Sequence, residues 1–151
     1  MNKILQTNPA STSALIARLF LAVVVFPHGA QKMLGWFGGN GFSGSINFLT
    51  QGAGLPGIIG FLVIIIEFFA PLFLVFGFLT RVAAFGIGVE FIGVVIKAHI
   101  NNGFFMNWSK QPNKGEGLEF FILLFGLVII ALILGGGRAS VDAAINQRAK
   151  G

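Results

Sequence analysis

Long apolar runs alternate with short polar connections along this chain, and the runs have the length of membrane helices. Four of them reach about the 20 residues that cover ~30 Å of hydrocarbon as helix. They cover roughly residues 12–34, 56–79, 81–100 and 118–135. Ser11, Thr12 and Ser13 offer an N-cap to the first, and Pro56 suits a first-turn position of the second. The run Gly135-Gly136-Gly137 stops the fourth. Only a residue or two near Thr80 separates the second from the third, which predicts an antiparallel hairpin. The expected fold class is an all-α membrane protein, a four-transmembrane-helix bundle in a single domain over residues 1–151.

The connections carry further elements. Residues 35–55 are rich in Gly and Phe, and Phe42, Ile46 and Leu49 stand at i, i+4 and i+7, the spacing of a short interfacial helix. Residues 101–117 are polar, with Trp108 as an interface anchor. The tail, 138–151, is short and amphipathic, and Ala139-Ser140-Val141-Asp142 is expected to begin a surface helix. The basic residues set an orientation. With the N-terminus in the cytoplasm, that side holds Lys3, Arg18, Arg81, Arg138, Arg148 and Lys150, and the other holds Lys32, Lys97, Lys110 and Lys114. Six against four predicts N-in/C-in, with a short cytoplasmic tail.

The polar residues inside the runs are not scattered. At 100° per residue, Arg18, Ala22, Val25, His28, Gly29 and Lys32 fall within an arc of about 120° on the first helix. Ala83, Gly86, Glu90, Gly93 and Lys97 fall within about 80° on the third. Small residues let helices approach closely in lipid, so these stripes should face the bundle. Glu67 lies near the middle of the second helix and Glu119 in the first turn of the fourth. Pro27 and Pro71 leave the carbonyls of Val23 and Glu67 without their helical donor. Neighbouring helices, water or a ligand must then satisfy them.

Chain direction converts these faces into depth. His28, Gln31, Lys32, Lys97, His99 and Glu119 belong to the outer third, Glu67 and Glu90 are central, and Arg18 is nearer the cytoplasmic side. The expectation is a polar pocket that opens outward and reaches mid-membrane. His99 lies opposite Lys97 on an ideal helix, so it joins the pocket only if the helix frays there. A structural alternative uses the same residues: Arg18–Glu90 and Lys32–Glu67 would be interhelical ion pairs, with Lys32 and Lys97 snorkelling to the headgroups. Arg81, at the hairpin turn, reads as a structural, positive-inside residue.

Composition narrows the function. Hydrophobic residues make up 55% of the 151 and charged residues only 10%, against about 25% charged in soluble domains. The mean hydropathy is +0.86. The net charge of +5 comes from residues at segment ends and in loops, the pattern of membrane orientation, so no nucleic-acid partner is expected. The absence of cysteine excludes disulfides, thiol redox chemistry and Cys-ligated iron–sulfur clusters from the chain's own residues. No small-residue cleavage site follows the first run, where His28, Gln31 and Lys32 stand instead, so that run is expected to be retained as a helix.

Other signals lead nowhere. Residues 39–44 match GxGxxG but follow a membrane helix without a βαβ unit, which removes the dinucleotide reading. A bis-His haem would need both His28 and His99 and has no further haem signal beside it. A metal site built from Glu67, Glu90 and His28 has no better support, and no metal is expected.

The chain resembles the DoxX family of small four-helix membrane proteins. The resemblance rests on Arg18, His28-Gly29 with Gln31-Lys32, residues 35–39 (GWFGG) and Glu67-Phe68. It continues through residues 77–81 (GFLTR) with Ala83-Ala84, His99 with residues 102–105 (NGFF), Glu119, and Gly136-Gly137-Arg138 with Ser140-Val141-Asp142. Together these span about residues 14–143. Ala70-Pro71 stands where the family leads one to expect a Gly pair, and Glu90 where it is usually apolar.

The resemblance implies a bacterial-type cytoplasmic (inner) membrane protein and points to quinone-linked redox systems. The leading expectation is thus a quinone- or quinol-linked accessory subunit, an oxidoreductase component acting with a redox partner protein. Glu67, His28 and Glu90 would be its catalytic residues; Gln31, Lys32, His99, Glu119 and Arg18 would bind substrate. Lys32, Gln31 and His28 can donate to quinone oxygens, and a buried Glu67 or Glu90 can exchange protons. One alternative is a small proton-coupled transporter or channel, in which the same residues form a relay. Another is a structural anchor or assembly subunit without chemistry of its own. Association into a homo-oligomer is compatible with all three.

Overall fold

The computed structural model describes residues 4–148, and among these every regular element is a helix, without strands. Lys3 and Lys150, counted above on the cytoplasmic side, lie outside the described residues, as do positions 149–151 of the tail. Helix α1 covers Thr12–Leu34 and is capped by Ser11, whose hydroxyl accepts from the Ala14 N–H at 3.3 Å. It ends at Gly35 in the left-handed conformation (φ 74°). The short helix α2, Gly41–Asn47, continues into a π-helical turn at Phe48–Gly52, close to where the i, i+4, i+7 spacing predicts an interfacial helix.

Helix α3, Gly57–Phe76, starts directly after Pro56. It is shorter than the apolar run suggests, because Gly77 turns left-handed (φ 62°) and closes the helix with N–H bonds to Leu74 and Phe73. Helix α4, Thr80–Val94, follows at once and passes into a second π-helical turn, Val95–His99. Helix α5 covers Glu119–Leu134 and ends on Gly135, and α6 covers Val141–Arg148. Three spans, Thr12–Leu34, Gly57–Phe76 and Thr80–His99, are long and apolar enough to cross a membrane; α5, with 16 residues, is apolar but shorter.

The four long helices form a closed ring: α1 packs on α3, α3 on α4, α4 on α5 and α5 back on α1. The core is made largely of small and branched residues, including Ala17, Leu21, Ala22, Val25, Ala83, Ala84, Ile87, Val128 and Ala131. Many bulky apolar side chains, such as Phe20, Phe76, Phe85, Leu123 and Ile133, point away from it, while Phe91 and Phe121 are part of it. Association in lipid gains little from hiding apolar surface, so close backbone approach and packing hold the ring together. The tightest approach is at Gly29, where any Cβ would collide with the backbone of Glu67 and Phe68. Glu67 is the residue whose carbonyl Pro71 leaves without a helical donor, and Gly29 lets α1 press onto that peptide.

The tail forms a helix, α6, where the sequence leads one to expect a surface helix, and one face of it packs on the bundle. Asp142, Ala143 and Asn146 of α6 are buried. The Asp142 carboxylate accepts from the N–H of Leu79 at 2.8 Å and of Thr80 at 2.9 Å, and so caps α4, whose own N-cap residue Leu79 supplies no side-chain bond. Four free N–H groups and a positive dipole end make that helix start a good seat for a carboxylate.

Candidate functional site

Two groups of buried polar residues lie at different levels of the bundle. The first gathers around Arg18, which is only 1% exposed. Its guanidinium donates to the carbonyls of Leu74 and Val75 (both 2.6 Å), Gly136 (2.9 Å), Arg138 (3.2 Å) and Ala139 (2.7 Å). These carbonyls belong to the C-terminal end of α3 and to the connection between α5 and α6, and a planar fork of five N–H groups engages them together. Arg81 does the same for α5, donating to Leu132 at 2.8 Å and Ile133 at 2.9 Å, and to the backbone of Ile4 and Gln6. The structural role read for Arg81 from its place at the turn agrees with these bonds. The Arg18–Glu90 pair considered from the sequence does not form, because Arg18 is engaged by backbone at the far end of α3.

The second group lines a cavity of about 740 Å³. His28 and Lys32 reach it from α1, Glu67 from α3, Glu90 from α4, and Lys97 and His99 from the π-helical turn. Most of the remaining wall is apolar, with Phe48, Leu62, Ile66, Phe91, Val94, Phe120 and Phe121 among its members. Gly29 and Lys32 stand three residues apart on one face of α1, so the close crossing at Gly29 also brings Lys32 to Glu67. Their side chains form the ion pair expected from the sequence, and it is the single salt bridge among the described residues.

Glu90 differs. It is 8% exposed, and neither carboxyl oxygen meets a hydrogen-bond donor among the described residues. Glu67, itself paired with Lys32, brings its carboxyl within side-chain contact of the Glu90 carboxyl, and Lys32 acts on Glu90 electrostatically. A buried carboxyl without a donor is costly, of order 1–3 kcal/mol or more.

His99 enters the cavity by a route the ideal helix does not offer. The Ile100 N–H bonds the Val95 carbonyl at 2.8 Å, an i→i+5 bond, and the wider turn carries Lys97, Ala98 and His99 together onto the cavity wall. His99 Nδ1 lies 2.8 Å from the Glu116 carbonyl, which can only accept, so Nδ1 carries the proton. Its ring packs on Phe121 at 4.6 Å. Glu116, which pattern reading missed, also lines the cavity, and its carboxylate accepts from the Asn107 N–H at 2.6 Å. Only its place in a polar loop was visible beforehand.

Two expected residues lie elsewhere. Glu119 turns to the loop and accepts from the Met106 N–H at 2.9 Å, outside the cavity lining. Gln31 faces a separate recess of about 200 Å³ shared with Lys32, Asn40 and Ser45, and donates to the Phe37 carbonyl at 3.3 Å. Arg18 is in neither space. Among the described residues, no group of three or more His, Asp or Glu side chains is arranged to hold a metal ion, Glu67, Glu90 and His28 included.

Residues 13–100 match the DoxX family, well over half of the chain and every cavity residue from His28 to His99. The chain belongs to the DoxX family. The inner membrane protein YqjF of Escherichia coli (strain K12) is 27% identical to this DoxX protein over 135 residues, which cover 89% of this chain and 92% of that one. No solved structure matches it. Its family, this relative and its long apolar helices make the DoxX chain an integral membrane protein of the cytoplasmic (inner) membrane.

Proposed function

We propose that this DoxX protein is a quinone- or quinol-linked accessory subunit of a membrane redox system, and that the cavity is where the quinone ring binds. The observation that carries this reading is the wall itself: a largely apolar space of about 740 Å³ with the Lys32–Glu67 pair and His28 on one side and Glu90 on another. Spaces of roughly 300–1,000 Å³ with few polar groups suit ring-sized ligands. The ammonium of Lys32 and the His28 ring can donate to a ring oxygen, and the carboxyls of Glu67 and Glu90 can exchange the protons that accompany quinol oxidation. The chain has no cysteine to hold an iron–sulfur cluster of its own, so the electrons pass to a partner protein or to a bound cofactor.

In this reading all four long helices cross the bilayer. The ring closes only if α5 runs alongside α1 and α4, and its 16 residues are accommodated by local thinning of the bilayer. Arg18, Arg81 and Arg138 gather at one end through their shared contacts with the ends of α3 and α5, which supports an N-in/C-in orientation with the cavity toward the outer half.

The test is titration of the purified protein with a short-chain quinone. Wild-type protein should bind saturably, and His28→Ala and Glu67→Gln should each weaken binding at least tenfold. Unchanged affinity in both variants removes the proposed site.

A further inference from the structure

The charges around the cavity do not balance. Lys32 and Lys97 are its fixed cations, and Glu67, Glu90 and Glu116 its carboxylates. Lys32 is paired with Glu67, the Glu116 carboxylate is tied to the Asn107 N–H, and Lys97 sits exposed on the π-helical turn. Glu90 is left more than nine-tenths buried in the wall with no donor on either oxygen among the described residues. We propose that the cavity binds a monovalent lipophilic cation, such as an aryl-substituted phosphonium or ammonium, with Glu90 as its counter-charge.

Three observations favour that class of ligand. A buried carboxyl is best satisfied by an opposite charge, and the cation at hand, Lys32, is already committed to Glu67. The cavity that Glu90 lines is largely apolar and its wall carries Phe48, Phe91, Phe120 and Phe121, and aromatic rings attract a poorly hydrated cation. The volume of about 740 Å³ admits an ion with several aryl groups. This inference stands apart from the quinone reading, since it depends on the charge of Glu90 and not on donors for a ring oxygen.

The experiment compares two ions of the same shape and opposite charge, tetraphenylphosphonium and tetraphenylborate, on wild-type protein in nanodiscs, with empty nanodiscs as the blank. The phosphonium should bind saturably and the borate should not. Glu90→Gln should weaken phosphonium binding at least tenfold. Equal retention of the two ions by wild-type protein, no saturable phosphonium binding, or wild-type affinity in Glu90→Gln would each overturn the proposal. The comparison of the two ions needs no variant, so a Glu90→Gln protein that fails to fold leaves it decisive. Loss of quinone binding with phosphonium binding intact would sink the quinone reading alone.

Discussion

Arg18 and Glu90 are both ionisable, both more than nine-tenths buried, and both on bundle-facing stripes, yet their surroundings are opposite. Arg18 donates to five backbone carbonyls and ties the end of α3 to the chain that follows α5. Near it Arg81 and Asp142 also end on backbone groups, the carbonyls of α5 and the first N–H groups of α4. Glu90 ends on nothing that can donate. Burial of charge therefore means two things in one small protein. At one end it completes helix termini, and around the cavity it leaves the Glu90 carboxyl without a donor among the described residues.

That contrast can be broken by substitution, and the effects should descend in a definite order when unfolding is followed in mixed detergent micelles. Arg18→Ala strands several carbonyls at once, and bonds to a charged donor contribute about 1.5–3 kcal/mol each, so a loss of at least about 3 kcal/mol is expected. A small loss would mean that water replaces the guanidinium and that this end is looser than its contacts suggest. Gly29→Val drives a side chain into the Glu67 peptide and should cost about 1–3 kcal/mol, with parallel weakening of ligand binding as Lys32 moves from Glu67. Stability lost without any change in binding would separate the crossing from the site. Asp142→Ala removes the cap of α4 and should cost about 0.5–2 kcal/mol, leaving cavity binding intact. Glu90→Leu should go the other way: removing a donorless carboxyl should stabilise the fold by about 1 kcal/mol while abolishing the selection of cation over anion. If Glu90→Leu destabilises the protein as Arg18→Ala does, the two ends do not differ and Glu90 is another structural tie.

Much of the fold was legible because hydrophobic length and punctuation are local properties. Helix α1 has the predicted bounds and its Ser11 cap, and Arg18, Ala22, Val25 and Gly29 of its stripe are buried as small residues require, while His28 in the same stripe is exposed. The same wheel failed at His99, since it assumes 100° per residue and the π-helical turn at Val95–His99 advances less. Periodicity could not reveal that turn, because a single i→i+5 bond leaves no mark in a run of apolar residues. It also could not assign partners. The carbonyls that engage Arg18 lie 56 to 121 positions away, and nothing in their own residue types marks them as acceptors.

What the sequence determined by itself is the membrane character of the chain, its apolar runs, and the set of ionisable residues turned toward the interior. Those follow from the cost of charge in hydrocarbon and from helix periodicity, which act within one segment at a time. Which of those residues ties helices together and which is left open was decided by tertiary structure alone. Satisfying a buried polar group depends on where another helix ends or crosses. Arg18 meets the ends of α3 and α5, Lys32 meets Glu67 where Gly29 lets two backbones touch, and Glu90 meets a cavity.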